Sequence, residues 1–311
     1  MNSIIENIIK NMEKVIVGKR DVLEKIVIAL LNDGHVLIED VPGVGKTKTV
    51  ATLAKTLDGD FNRIQFTPDV MPSDVVGFSM YNPSNGSFEY RKGAAMCNFL
   101  LADEINRASS KTQSSLLEAM EEAQVTVDGV TYKLPKPFMV LATQNPIESY
   151  GTYILPEAQM DRFFLRLSIG YPNKSEEKRI LDRFESENPL TTLNKVITKE
   201  DVIKLQNEVK EVKVSDSIKM YILDIVEATR KAKEITLGVS PRGSLSLLRA
   251  AKALAFIRGR DFVLPDDVQE MAVPVLAHRI IVNSNIKSQS MSQEDIIKQV
   301  LKIVEVPIFQ I

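Results

Sequence analysis

The chain has 311 residues, 44% of them hydrophobic and 26% charged, which suits roughly two domains and a core that needs no disulfide or structural metal. Lys and Arg number 39 against 41 Asp and Glu, and the net charge of −2 excludes a globally basic nucleic-acid coat, though not a local basic patch. The single cysteine, Cys97, rules out an internal disulfide, and only His35 and His278 could join it in a zinc site.

From Met1 to Arg20, residues Ile4, Ile5, Ile8, Ile9 and Met12 recur at helical spacing among Glu6, Lys10, Glu13 and Lys14. This predicts an amphipathic helix rather than a signal peptide. The longest apolar stretch, Ile26 to Leu31, falls far short of the roughly 20 residues of a membrane span. A soluble, cytoplasmic protein is expected, in a reducing compartment.

Strands are predicted at Val36–Ile38, Asn62–Phe66, Asn98–Ala102, Phe138–Ala142 and Phe163–Ile169, with helices at Lys46–Leu57 and Lys111–Ala123. Buried apolar strands alternating with helices imply an α/β fold, a parallel sheet covered on both faces. Two hairpins interrupt the alternation. Asp128-Gly129 between Val125–Val127 and Val130–Tyr132 is a strong two-residue turn signal. Asn85-Gly86 within Ser79 to Tyr90 is weaker, because Pro83 shortens its first arm. Tyr171 to Lys174 reads as a boundary, dividing the chain into 1–172 and 173–311. Beyond it helices are predicted almost throughout: Ser175–Glu185 with Ser175 as N-cap, Thr198–Val209, Ser215–Lys233, Ser240–Ile257, Pro265–Ile280 and Ser292–Val304.

The chemistry begins where strand Val36–Ile38 runs into Asp40-Val-Pro-Gly43-Val44-Gly45-Lys46-Thr47 and then a helix. This is a phosphate-binding loop in its strand–loop–helix setting. Gly43 and Gly45 let backbone N–H groups approach an anion at a helix N-terminus. Lys46 would reach the β- and γ-phosphates, and the Thr47 hydroxyl would hold Mg²⁺. Asp40 stands where the generic pattern has glycine. Further on, strand Asn98–Ala102 delivers Asp103 and Glu104, a pair suited to a metal ion and an attacking water; acidic helix caps also follow strands. Asn145, at the end of another buried strand, reads either as a γ-phosphate or water contact or as a turn residue before Pro146. Arg162 reads as a surface salt bridge or as an arginine finger offered to a neighbouring subunit. Arg242, in the first turn of a helix opened by Ser240 and Pro241, is a cation where the helix dipole disfavours one, which hints at an anionic partner. His35, His278 and Cys97 read as structural.

The succession of blocks resembles the MoxR-type AAA+ ATPases. The blocks are the loop Asp40–Thr47, Leu101-Ala-Asp-Glu104-Ile-Asn-Arg107-Ala108, Glu118-Ala-Met-Glu121-Glu122, Ala142-Thr-Gln-Asn145-Pro-Ile-Glu148 and Leu155-Pro-Glu-Ala-Gln-Met-Asp-Arg162-Phe163. Ser240-Pro-Arg242 and Val275-Leu-Ala-His-Arg279 extend the likeness, which covers about residues 5 to 280; the last thirty or so carry no matching motif. The resemblance implies an αβα nucleotide-binding core followed by a small helical lid, and ATP hydrolysis at the subunit interfaces of a ring, typically a hexamer. It implies a nucleotide cradle of Val17, Gly18, Gly43, Val44, Gly45, Lys46, Thr47 and Lys48, with Thr47 and Asp103 at Mg²⁺. Catalytic roles would fall to Glu104, Asn145 as sensor 1, Arg162 as the trans arginine finger and Arg242 as sensor 2, with Mg·ATP between core and lid. Arg107 is either a sensor of the neighbour or a local salt bridge. Tyr150 and Ile154 depart from the family pattern. The implied function is chaperone-like remodelling of protein clients, among them von Willebrand factor A domain proteins, with no nucleic acid and no membrane span. A nucleic-acid motor and a non-hydrolysing scaffold are the rivals; the near-neutral charge weighs against the first and an intact Glu104 against the second.

Overall fold

A computed structural model describes residues 2–145, 153, 155–185, 188–283 and 291–307. The N-terminal region forms two helices rather than the one expected, α1 (Ser3–Glu13) and α2 (Arg20–Leu31), with a break between them. Ile5, Ile8, Ile9 and Met12 are buried, whereas Ile4 faces out. The core continues with β1 (Val36–Glu39), α3 (Lys46–Thr56), β2 (Phe61–Gln65), α4 (Pro72–Val76), hairpin β3 (Gly77–Asn82)–β4 (Ser87–Lys92), and β5 (Phe99–Asp103). It is completed by α5 (Ser110–Glu122), hairpin β6 (Gln124–Val127)–β7 (Val130–Lys133), β8 (Met139–Gln144), α6 (Glu157–Met160) and β9 (Leu165–Leu167).

The five-stranded sheet has the order β2-β5-β8-β1-β9, and every pairing in it is parallel. Side chains alternate across it as the pleat requires. Val36, Ile38, Phe99, Leu101, Met139 and Leu141 join one apolar cluster with α1, α2 and α3, while Leu37, Leu100, Ala102, Val140 and Ala142 join a second with α5. The near-continuous apolar runs that predicted a doubly covered sheet are what fill both clusters.

Two local expectations are corrected. Pro83 lies in the turn rather than in the first arm, so β3 and β4 each run six residues, longer than the four of β6 and β7. The cap after the boundary is Asn173, not Ser175: its Oδ1 accepts from the N–H groups of Ser175 and Glu176, and Glu176 Oε2 accepts from the Asn173 N–H.

The C-terminal half contains α7 (Lys174–Phe184), α8 (Lys199–Lys210), α9 (Asp216–Lys231), α10 (Pro241–Ile257), α11 (Pro265–Leu276) and α12 (Gln293–Ile303). It is less purely helical than expected, because β10 (Ile235–Leu237) pairs antiparallel with β11 (Ile281–Val282). The helix expected to reach Ile280 stops at Leu276 and tightens to a 3₁₀ turn over Ala277–Arg279. The motif-free tail nevertheless docks. Ile296, Ile297 and Val300 of α12 are buried, Arg166 of β9 donates to Gln293 (2.7 Å) and pairs with Glu294, and Gln293 donates to the Ile280 carbonyl (2.7 Å). No described helix is long and apolar enough to cross a membrane.

Candidate active site: a phosphate-loop cleft and an arginine cluster

The carboxyl ends of β1, β5 and β8 lie side by side, so the residues following them converge on one edge of the sheet, where open α/β sheets bind ligands. Gly43 (φ +89°) and Gly45 (φ +93°) hold the loop in the left-handed region, and a Cβ on either would point into open space. Glycine is therefore required by backbone angle, and the space it leaves is free for a ligand. The Lys46 ammonium donates to the Asp40 carbonyl (2.9 Å), its parking place within its own loop. The departure at Asp40 has a structural reason. Its buried carboxylate accepts from the N–H groups of Ile169 and Gly170 (3.0 Å for the latter) and from the Ser168 hydroxyl (3.2 Å), pinning the loop to the chain leaving β9.

A cleft of about 410 Å³ is lined by Gly43, Gly45, Lys46, Thr47, Lys48, Asp103, Glu104 and Asn145, with Arg63 and Gln65 from β2. Asp103 is oriented from two sides: Thr143 donates its hydroxyl to Oδ1 (2.6 Å) and Arg63 donates to Oδ2 (2.7 Å). The same Thr143 oxygen accepts from the Glu104 N–H (2.8 Å). Glu104 sits at φ 56°, an uncommon angle for a side-chain-bearing residue, so this bond fixes a turn that would otherwise relax. Glu104 Oε2 pairs with Arg107 Nε at 2.7 Å, which makes Arg107 a local salt bridge here. The hydroxyl of Thr47 and the carboxylate of Asp103 are hard oxygen donors facing one cleft. Among the described residues no group of three or more His, Cys, Asp or Glu is gathered to hold a metal alone. That donor set suits Mg²⁺, which keeps waters and takes the rest of its ligands from phosphates.

Next to this cleft, an apolar slot of about 150 Å³ is lined by Val15, Ile16, Val17, Val44, Ile180 and Phe184, among others. Val17 and Val44 thus face the slot, and α7 supplies a wall that the motifs did not indicate. Gly18 is absent from this lining; its φ of +72° and a Cβ that would lie 2.1 Å from Glu176 Oε1 both call for glycine there. Lys48 lies with its ammonium 3.7 Å from the centre of the Phe184 ring.

Arg162 and Arg242 are not in either space. Arg162 Nε lies 3.2 Å from Glu121 Oε2, and Arg242 donates to Glu121 Oε1. Arg242, expected over the same nucleotide as Lys46, lies in this chain with Arg162 instead, around a separate pocket of about 160 Å³. Asp161 is the cause. It accepts from the Ser240 hydroxyl (2.9 Å), which caps α10, and from Arg279 Nε (2.7 Å). The Arg279 side chain is 2% exposed and also donates to the Phe163 (2.7 Å) and Phe164 (3.3 Å) carbonyls. Burial lowers its pKa to about 10, with Asp161 opposing the shift, so it stays charged at neutral pH. Gly243 makes room, since a Cβ there would meet Val239 Cγ1 at 2.3 Å and Arg279 Cδ at 3.0 Å. One rivet thus fixes Asp161 and Ser240 together, and with them their neighbours Arg162 and Arg242.

Both histidines are structural. His35 Nε2 donates to the Met120 carbonyl (3.0 Å), its Nδ1 accepts from the Val140 N–H (3.0 Å), and burial pulls its pKa down to about 4. His278 Nε2 donates to the Phe163 carbonyl (3.0 Å), and burial holds its pKa well below the usual value. Burial pushes the Cys97 thiol up to about 12, which leaves it unreactive. Tyr150 and Ile154 lie outside the described residues.

The sequence signals missed Arg63, Glu121, Thr143, Asp161, Phe184 and Arg279 as parts of these sites. Glu121, Thr143, Asp161 and Arg279 stood inside family blocks without a role, which was the one available clue.

Comparison with known proteins agrees with the geometry. Residues 35–165 match the family described as ATPase family associated with various cellular activities (AAA), and residues 227–300 match the AAA lid domain. The chain is 51% identical over 308 residues to the uncharacterized protein YeaC of Bacillus subtilis, covering 99% of this chain and 96% of that one. It is 41% identical over 312 residues to Chaperone MoxR1 of Mycobacterium tuberculosis, covering 97% and 82% respectively. Protein MoxR of Paracoccus denitrificans is 30% identical over 293 residues, with 86% of each chain covered. A crystal structure of a Cytophaga hutchinsonii protein named as a candidate ATPase superposes with a TM-score of 0.92 at 43% identity, covering 98% of this chain and 95% of the other. An AAA core with a parallel five-stranded sheet, a lid domain and full-length MoxR relatives lead to one conclusion: this chain belongs to the MoxR-type AAA+ ATPases.

Proposed function

We propose that the chain is a Mg·ATP-hydrolysing, ring-forming ATPase that remodels protein clients in the cytoplasm, with a nucleotide-binding core of residues 1–172 and a lid of 173–311. The adenine lies in the slot walled by Val17, Val44, Ile180 and Phe184. The loop amides around Gly43 and Gly45 cradle the phosphates, and Lys46 leaves the Asp40 carbonyl to meet the β- and γ-phosphates. Thr47 and Asp103 hold Mg²⁺, which offsets phosphate charge when bound. Glu104 accepts a proton from the attacking water, which Asn145 helps to orient. Thr143 keeps both carboxylates aimed. The chaperone role is supported by the relative named Chaperone MoxR1; a von Willebrand factor A domain partner rests on the family resemblance alone.

The observation that carries this reading is the separation of Arg162 and Arg242 from the phosphate-loop cleft. Neither arginine lines the cleft that holds Lys46, Asp103 and Glu104, which supports the reading that both serve a neighbour's nucleotide at a subunit interface. That the ring is a hexamer rests on the family resemblance alone. Turnover per chain, measured against protein concentration alongside sedimentation, tests it. Turnover should collapse on dilution to monomer while nucleotide binding persists; a monomer hydrolysing ATP at the undiluted rate would refute the interface site.

A further inference from the structure

Glu121 belongs to a family block to which no role has been attached, and its surroundings suggest one. It sits in the last turn of α5, where a carboxylate meets the negative end of the helix dipole. Arg242 sits in the first turn of α10, where a cation meets the positive end. Each residue has the wrong sign for its own helix, and each is satisfied by the other across the gap. Helix stability does not explain either choice. Their side chains are 36% and 44% exposed, so burial does not explain the pair either.

The pairing geometry is the second clue. Glu121 uses one oxygen for each arginine: Oε2 faces Arg162 Nε and Oε1 accepts from an Arg242 terminal nitrogen. A guanidinium has five N–H donors in a fixed fork. Held by Nε, Arg162 has no acceptor at its terminal nitrogens among the described residues, and its side chain is 30% exposed. Arg249 and Arg279 line the same pocket, so four arginines face three carboxylates: Asp33, Asp161 and Glu121. Without Glu121 the two outer guanidiniums repel each other and lose their common anchor.

Resting on the reading that Arg162 and Arg242 act across the interface, we propose that Glu121 is a positioning residue that bridges both arginines and presents them together to the phosphates held by the next subunit. It touches neither nucleotide nor water itself. Its removal therefore slows hydrolysis without weakening ATP binding.

The test uses the full-length protein, assembled with Mg·ATP. Glu121→Ala should lower kcat by about 10²-fold, the penalty expected for a reactive group displaced by about an ångström, with ATP affinity and melting temperature near those of the wild type. Glu121→Gln, whose carbonyl can still accept from one guanidinium, should recover part of that loss. Glu121→Ala mixed with Glu104→Gln should regain turnover, because the first protein brings an intact Glu104 and the second brings arginines still bridged by Glu121. Wild-type kcat in Glu121→Ala would overturn the proposal. So would failure of this mixture while Arg162→Ala mixed with Glu104→Gln recovers, since Glu121 would then act within its own chain. If both mixtures fail despite subunit exchange verified by fluorescence transfer, the trans reading fails and the proposal falls with it.

Discussion

The phosphate-loop cleft and the arginine cluster are both dense in charge, but they are assembled by different means. Asp103, Glu104, Asn145 and the loop after β1 sit at the ends of neighbouring parallel strands, so the ladder of backbone hydrogen bonds sets their spacing. Arg162 and Arg242 come from segments with no such ladder between them, and the side chains of Asp161, Ser240 and Arg279 set theirs. A site built on a sheet edge keeps its frame when one side chain is lost. A site built on a side-chain rivet does not. The proposed chemistry follows the same contrast: in that reading the cleft holds the groups that bind and attack, and the cluster holds cations offered to charge on another chain.

Substitutions should separate the two accordingly. The largest effects belong to the cleft. Lys46→Ala should abolish tight ATP binding, read by nucleotide titration, because the phosphates lose their fixed cation. Glu104→Gln should bind ATP normally and lose about 10²- to 10⁴-fold in turnover, since an amide cannot take the water's proton. In the cluster, Asp161→Ala should both destabilise and inactivate. It leaves the buried Arg279 charge unpaired, at about 3–5 kcal/mol in urea unfolding, and frees Ser240 and Arg242 to drift; turnover should fall while ATP affinity holds. Unchanged stability would mean that the remaining acceptors, the Phe163, Phe164 and Val275 carbonyls among them, suffice to support Arg279.

Thr143→Val is a milder cut at the cleft. Asp103 and the Glu104 N–H both lose a partner, but the strands hold the backbone. A loss of about 10–100-fold in turnover, as for other groups that orient metal ligands, would fit; a loss as deep as that of Glu104→Gln would mean the ladder does not hold the frame. The smallest effect is on pH dependence. His35 packs under the arginine pocket, and its pKa falls from 6.5 to about 4 on folding. It is neutral in the fold, so its contribution is complete above pH 6.5 and is lost as pH falls toward 4, at roughly 1 kcal/mol per unit. Unfolding free energies between pH 7 and 5 should show a shallower slope in His35→Gln than in the wild type.

The cleft was legible in the sequence because its signals are local. Asp40 to Thr47 spans one strand–loop–helix, and Asp103-Glu104 follows one apolar run. Arg63 was not legible: it sits on β2, the strand with the most exposed burial pattern of the sheet, where an arginine looks ordinary. Asp161 and Arg279 lie 118 positions apart, and no periodicity links them. Arg242 was readable as a misplaced cation, and the anion that explains it lies 121 positions away on α5. The capping error at Asn173 had a smaller cause, two adjacent residues that can each cap a helix, of which the earlier one closes a reciprocal box with Glu176.

Arg242 is proposed to serve a neighbour's nucleotide rather than its own. Arg242→Ala and Glu104→Gln, each weak alone, should be mixed under conditions where fluorescence transfer proves subunit exchange, and ATP turnover measured against the unmixed proteins. Turnover should partly recover, because the Arg242→Ala subunit has an intact cleft and its neighbour brings the arginine. If Arg242 instead acts on its own nucleotide, no mixed interface contains a complete site and turnover stays at the unmixed level. That result, alongside recovery with Arg162→Ala, would contradict the placement of both arginines at one interface.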